Sequence, residues 1–199
     1  MKFILAIPAL FILSACATVR PGNQSAEVRA EQTLSVSLAA LDSFVAFEHR
    51  RRADVPALVR DVAARVRLNA HRALDSANAL RLAYKGNRTA ANEAGLLTAL
   101  AVVESLVSEI RVWVPATSAS GPGASPVADL IREARASQTV TAQSWVALVP
   151  VFVDLAREIY AVVNRTREAV KQDAEWTLAE EADFAVKLAA LKTAEHWRQ

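Results

Sequence analysis

Residues 96–114 read LLTALAVVESLVSEIRVWV, and their apolar side chains recur at alternating spacings of four and three residues. The pattern is carried by Leu96, Leu100, Val103, Val107, Ile110 and Val114. Because an α-helix turns once in about 3.6 residues, this spacing places all of them on one helix face. The stretch therefore predicts a long amphipathic helix that packs against other helices through that face.

Toward the N-terminus, two further helices are predicted from apolar spacing and from the Gly and Pro residues that end them. The first lies between residues 24 and 52, and its apolar face is formed by Leu34, Leu38, Leu41 and Val45. The second is predicted to be capped by Asp54 with Pro56 in its first turn. Its apolar face is Val59, Val62, Val66, Ala70, Ala73, Ala77, Leu80 and Tyr84. Gly86 and Asn87 end it, and Thr89 or Asn87 can cap the helix that follows.

Toward the C-terminus, residues 115–125 contain only Ala, Thr, Ser, Gly and Pro, which predicts a flexible loop. Ser125 with Pro126 can begin a fourth helix, and a new apolar pattern runs from Trp145 across Pro150, where we expect a kink or an end. Residues 151–199 hold no Gly or Pro, so this segment is either one continuous helix or broken near 172–177. We favour the break, because Thr177 and Glu180 fit a capping box.

The composition agrees with a helical protein. Of 199 residues, 53% are hydrophobic but only 6% are aromatic, and 41 are alanine, the residue with the highest helix propensity. A single Cys excludes a disulfide scaffold, and a net charge of +2 gives no basic surface for nucleic acid. We therefore predict an all-α protein, in which residues 25–199 form an antiparallel bundle of about four to six helices.

The N-terminus has the pattern of a secretory signal. Lys2 precedes an apolar run over residues 3–13, which is too short to span a bilayer, and Leu13, Ser14, Ala15 and Cys16 follow. These four residues resemble the lipobox of bacterial lipoprotein precursors. The resemblance covers residues 1–16 only. It implies that residues 1–15 are a signal peptide removed by cleavage after Ala15, and that Cys16 receives a diacylglycerol and an amino-terminal acyl chain such as palmitate.

The lipobox resemblance also implies a location. Membrane lipid would hold the chain through acylated Cys16, with residues 16–24 as a lipidated tether between the membrane and the bundle. The residue after the cysteine is Ala17. In Gram-negative lipoproteins of this kind, Ala at that position is compatible with export, which favours the periplasmic face of the outer membrane. The alternative is retention in the inner membrane.

Catalytic and metal-binding patterns are missing from the sequence. His49, His71 and His196 are far apart along the chain, and there is no second Cys, no His-Glu-x-x-His and no phosphate-binding Gly loop. We therefore expect no cofactor, no metal site and no enzymatic activity. Trp176 and Trp197 can serve as sugar-stacking platforms or cap the end of a thin core, and we favour the second.

Two classes of function remain. The first is a non-catalytic envelope lipoprotein that has a structural role or binds an envelope protein or peptidoglycan. The second is a helical module that binds a lipophilic ligand or a peptide, and a phage-encoded lysis or exclusion lipoprotein is a further alternative. Arg50, Arg51 and Arg52 can contact an anionic surface or partner, or can simply complement the C-terminus of the first helix.

Overall fold

The computed structural model describes residues 25–111, 142–170 and 174–198. Within these ranges the chain forms five α-helices and no strand, which confirms the predicted all-α fold. The helices are α1 (Ala26–Arg50), α2 (Ala57–Gly86), α3 (Ala90–Arg111), α4 (Ala142–Ala169) and α5 (Leu178–Thr193), followed by a short 3₁₀ helix (Glu195–Trp197). None of the described helices is long and apolar enough to cross a bilayer. The predicted loop at 115–125 and the predicted fourth helix lie outside the described residues.

Helix α1 is the centre of the bundle. It packs against α2, α3 and α4, and more lightly against α5 and the 3₁₀ helix. Neighbours on several sides leave only Arg29 and Arg50 of its 25 residues exposed. Its buried apolar residues, among them Leu34, Leu41 and Phe44, form one continuous core with the inner faces of the surrounding helices.

Helices α1 and α2 run in opposite directions, as consecutive helices of an up-and-down bundle do. Arg81 near the end of α2 pairs with Glu31 near the start of α1. Helix α4 lies along α1, and Glu158 in its middle pairs with Arg50 at the end of α1. Helix α5 then runs antiparallel to α2, which its ion pairs at both ends confirm.

Local signals set most helix ends, with one correction. Thr177 and Glu180 form the predicted capping box, so the chain is broken between α4 and α5. Thr89 accepts a hydrogen bond from the Asn92 amide at the start of α3, as predicted. The predicted cap of α2 at Asp54 is wrong: Pro56 occupies the N-cap position and makes no side-chain capping bond. The Asp54 amide instead donates to the Arg51 carbonyl, which places Asp54 in the preceding turn.

Two further expectations are settled by the packing. Helix α4 continues through Pro150, so the proline does not end it. Trp176 and Trp197 are both buried and pack at the two ends of α5, which confirms that they close the core. Trp176 stacks obliquely on Phe184 with 4.9 Å between the ring centroids.

Candidate functional site

The central helix carries charged side chains where a core residue is expected. Glu27, Glu31 and Glu48 of α1 are all 1% exposed or less. A buried carboxylate is strongly unfavourable unless cations and hydrogen-bond donors compensate it. The compensation comes from two clusters of side chains, one at each end of α1, and these clusters are the most unusual feature of the fold.

The first group, here called the proximal cluster, surrounds the start of α1. It comprises Glu27, Glu31, Arg81, Lys85, Arg88, Glu175 and Glu181. Arg81 is its centre and is 1% exposed. Its Nη1 atom lies 2.8 Å from Glu31 Oε1 and 3.0 Å from Glu181 Oε1. The guanidinium carbon also lies 4.8 Å from the ring centroid of Trp176, a cation–π contact.

The remaining bonds of the proximal cluster join four segments of the chain. Glu31 Oε2 accepts a 2.8 Å hydrogen bond from the Trp176 amide. Lys85 Nζ lies 2.6 Å from Glu181 Oε1, and Arg88 bridges Glu27 Oε2 and Glu175 Oε1 at 2.7 and 2.5 Å. The cluster therefore ties the beginning of α1 to the end of α2 and to the beginning of α5.

The pKa values of two neighbouring glutamates shift in opposite directions. Burial raises the pKa of Glu31, although hydrogen bonds from the Trp176 amide and Arg81 oppose that effect. The hydrogen bond from Lys85 lowers the pKa of Glu181, with a smaller contribution from Arg81. The same bond raises the pKa of Lys85. The Lys85–Glu181 pair is therefore held firmly in its charged form, whereas burial makes the ionised form of Glu31 unfavourable.

The proximal cluster resembles a cation site, but its own cations fill that role. One oxygen each of Glu27, Glu31 and Glu181 lies within 4.8 Å of the others, which is the only such group of metal-ligand types among the described residues. Arg81 Nη1 lies within 4.0 Å of all three of these carboxylates, and Lys85 Nζ is 3.5 Å from the buried Glu27 Oε1. A divalent cation would have to displace both side chains, so the arrangement fits internal neutralisation better than metal binding.

The second group, here called the distal cluster, lies toward the end of α1. It comprises Asp42, Glu48, His49, Arg67, His196 and Trp197. Asp42 Oδ1 accepts a 2.8 Å bond from Trp197 Nε1 and lies 2.7 Å from His196 Nε2. Arg67 pairs with buried Glu48 and donates a 2.7 Å bond to the His196 carbonyl. The 3₁₀ helix is thus fastened to α1 and α2.

Two histidines that are far apart in the sequence meet in the distal cluster. The ring centroids of His49 and His196 are 6.5 Å apart. The Nδ1 atom of His49 is buried and has no hydrogen-bond partner among the described residues. Their ring nitrogens do not converge with a third ligand atom, so the pair is not a preformed metal site in this part of the chain.

The arginines singled out from the sequence lie together at the end of α1, and each is beside a carboxylate of the same chain. Arg50 pairs with Glu158 of α4. Arg51 lies 3.6 Å from Asp54 and 3.8 Å from Asp154, and Arg52 lies 3.6 Å from Glu48. About half of each arginine side chain is exposed. Leu13, Ser14, Ala15 and Cys16 lie outside the described residues.

The sequence contains a local signal for the burial of Glu27 and Glu31. Glu27 and Glu31 continue the apolar face of α1 in phase, because positions 27, 31, 34, 38, 41, 45 and 48 alternate spacings of four and three. An acidic residue within the apolar face of one helix indicates a buried ion pair when a basic residue lies within the apolar face of another helix. Arg81 does so on α2.

The predicted apolar face of α2 needs a matching correction. Its C-terminal half was expected to run through Ala73, Leu80 and Tyr84, which are only partly buried. Ala77 is buried as predicted, but the buried positions beside it are Leu74 and Arg81. The pairing of Arg81 with Glu31 turns this end of the helix toward α1.

In both clusters, charged groups of the described residues bind one another and join segments that are distant in the sequence. No known protein family matches the chain, and no curated protein or solved structure matches it either.

Proposed function

We propose that the protein is a bacterial envelope lipoprotein with a non-catalytic, structural or partner-binding role. In this proposal Cys16 is acylated and holds the helical body on the exported side of a membrane, at the periplasmic face of the outer membrane in a Gram-negative cell. The observation that carries the proposal is the order of residues 1–16, in which a short apolar run ends in Leu13, Ser14, Ala15 and Cys16.

The position of the body relative to the acylated residue supports this role. Helix α1 begins at Ala26, so nine residues separate it from Cys16. Such a segment spans at most about 32 Å, which keeps the body close to the lipid surface. The proximal cluster lies at this end of α1, where tension on the tether would enter the fold. Its buried ion pairs hold α1 to α2 and α5 at that point, so they would resist separation of the helices when the tether is pulled.

The chemistry of the buried groups also supports a structural role. The charged side chains in the interior are arranged as opposite pairs, for example Arg81 with Glu31 and Arg67 with Glu48. A catalytic acid or base needs a group that can reach a substrate, usually in a concave site. These groups face each other inside the bundle, so they serve the fold.

The anchor is tested by intact-mass measurement of the full chain extracted from membranes. We expect a chain that begins at Cys16 and carries a diacylglyceryl group and an acyl chain. The Cys16→Ser variant should accumulate with residues 1–15 still attached and with the mass of an unlipidated precursor. Thr18→Ser is the control and should behave as wild type. An unmodified Cys16, or a Cys16→Ser variant that is processed and retained normally, would refute the anchor.

The anionic-partner role of Arg50, Arg51 and Arg52 is tested separately by co-sedimentation with purified peptidoglycan. Replacing all three by Ala should abolish binding. Glu158→Gln should strengthen it, because Arg50 then loses its internal carboxylate partner. Binding that is the same in wild type and both variants would show that the arginines serve only the bundle.

A further inference from the structure

Helix α5 presents an outward face without a single charge. Its inner face is formed by Phe184, Leu188 and Leu191, which are buried against the bundle. The residues on the opposite side are all exposed and uncharged, and they are Leu178, Ala179, Ala182, Ala185, Val186, Ala189, Ala190 and Thr193. Two of them are large: Leu178 is 84% exposed and Val186 is 68% exposed.

This face is unusual for a helix at the surface of a bundle. The outward side of such a helix normally carries charged residues, which keep it soluble and separate from other chains. Here the charges lie on the flanks: Lys192 on one flank pairs with Asp75 of α2. On the other flank Asp183 and Lys187 form an ion pair with 2.6 Å between Lys187 Nζ and Asp183 Oδ2. Both side chains are 61% exposed, so they remain accessible to a partner.

We propose that this face binds the same face of a second copy of the chain, with the two α5 helices antiparallel about a two-fold axis. In an antiparallel pair, equivalent flanks of the two helices lie side by side, so the flank with Asp183 meets its own copy. The proposal does not depend on the lipid anchor, because it uses only residues of α5.

The register follows from charge complementarity. Asp183 and Lys187 stand two residues before and two residues after Ala185. A two-fold axis at the level of Ala185 therefore places Asp183 of each copy opposite Lys187 of the other, giving two intermolecular ion pairs. Shifting the axis by two residues in either direction instead places Asp183 opposite Asp183 or Lys187 opposite Lys187, so that like charges meet.

The apolar residues favour the same register. With the axis at Ala185, the two copies of Val186 lie next to each other at the centre. Ala182 of one copy lies beside Ala189 of the other, and Leu178 lies beside Thr193. The alanines allow the two helix backbones to approach closely, while Val186 and Leu178 supply most of the apolar area. The apolar pairs lie within about one residue of exact opposition, so packing is compatible with the register that the charges set.

The expected dimer is weak and reversible. A 16-residue helix is about 24 Å long, and a single helix pair buries much less than the ~1,600 Å² of a standard protein interface. Confinement to a membrane surface would raise the local concentration of the chains and strengthen the pairing.

The test is a charge exchange measured by sedimentation equilibrium on the full chain. Asp183→Lys and Lys187→Asp should each raise the dimer dissociation constant by at least about tenfold, because each places like charges opposite one another. The double variant, which carries both substitutions, should recover wild-type affinity. Circular dichroism checks that every variant stays helical. Ala64→Lys, on the outer surface of α2, is the matched control and should not change the dimer dissociation constant.

Mixing the two single variants separates an effect between chains from an effect within α5. Each variant lacks the internal Asp183–Lys187 pair, yet in a mixture the lysines of one chain face the aspartates of the other. We therefore expect heterodimers with affinity close to wild type, detected by energy transfer between differently labelled chains. A monomeric wild type at all concentrations, or a mixture that pairs no better than the single variants, would overturn the proposal. The first outcome would assign the face to another occupant.

Discussion

Replacement of Arg81 by Met is the most direct test of the proximal cluster. Methionine keeps most of the apolar volume of the side chain but removes the charge and the hydrogen-bond donors. Glu31 then loses a cation at 2.8 Å, and Glu181 loses one at 3.0 Å. Glu181 still pairs with Lys85. Glu31 keeps only the Trp176 amide, so a buried carboxylate is left without a counterion.

The expected cost follows from that unpaired charge. Removing one partner of a buried ion pair destabilises a protein by about 3–5 kcal/mol, because the other charge stays in the interior. Since a domain is stable by only about 5–15 kcal/mol, the loss is a large part of the total. For a chain of this size it corresponds to a fall in melting temperature on the order of 10 °C.

The assay is urea denaturation of the full chain, followed by circular dichroism. Arg65→Met is the matched control, because Arg65 also joins α2 to a glutamate but is 53% exposed, and its pair with Glu109 should contribute about 0–1 kcal/mol. The double variant Arg81→Met with Glu31→Gln removes both buried charges, so it should recover about half of the loss or more. Equal destabilisation by Arg81→Met and Arg65→Met would refute the structural role of the cluster.

Three further outcomes are expected. Thr177→Ala removes the cap of α5 and should cost about 1 kcal/mol by urea denaturation, whereas Thr98→Ala, at an exposed position within α3, should change stability by less than about 0.5 kcal/mol. Asp42→Ala deprives Trp197 Nε1 of its acceptor, so amide hydrogens of the 3₁₀ helix should exchange faster; unchanged exchange would contradict the proposed fastening. Glu181→Gln should flatten the acid side of the stability profile. The pKa of Glu181 is lowered in the folded protein, so as pH falls its carboxylate is protonated first in the unfolded chain. The wild type therefore loses stability as pH falls below about 4.3, the pKa of an unperturbed glutamate. An equally steep loss of stability in the variant would contradict this reasoning.

Local signals in the sequence were sufficient for most of the helices. Thr177 and Glu180 identify the start of α5 because a capping box needs only four consecutive residues. The apolar spacing from Leu96 to Ile110 likewise identifies α3, and all five residues of that line are buried. Asp54 was misassigned because Pro56 places the first helical turn two residues further along the chain, and spacing alone does not show which turn the aspartate joins.

The clusters could not be derived in the same way, because their stability depends on partners that are distant in the sequence. Glu31 is buried only because Arg81, 50 residues later, and the Trp176 amide, 145 residues later, both reach it. A glutamate considered alone belongs on the surface by its transfer free energy. Its phase with Leu34 and Leu38 was the only local indication of burial.

The fastening of the chain's two ends has a consequence for how the protein is made. Glu31 meets the Trp176 amide across 145 residues, and Asp42 meets Trp197 across 155 residues. At a synthesis rate of about 5–20 residues per second, the acidic groups of α1 wait about 7–30 seconds for these partners. During that interval the central helix has no complete core to enter, and contacts over such long separations form slowly. We therefore expect the nascent chain to stay unfolded until its synthesis is nearly complete, which is the state in which a chain can still be threaded across a membrane.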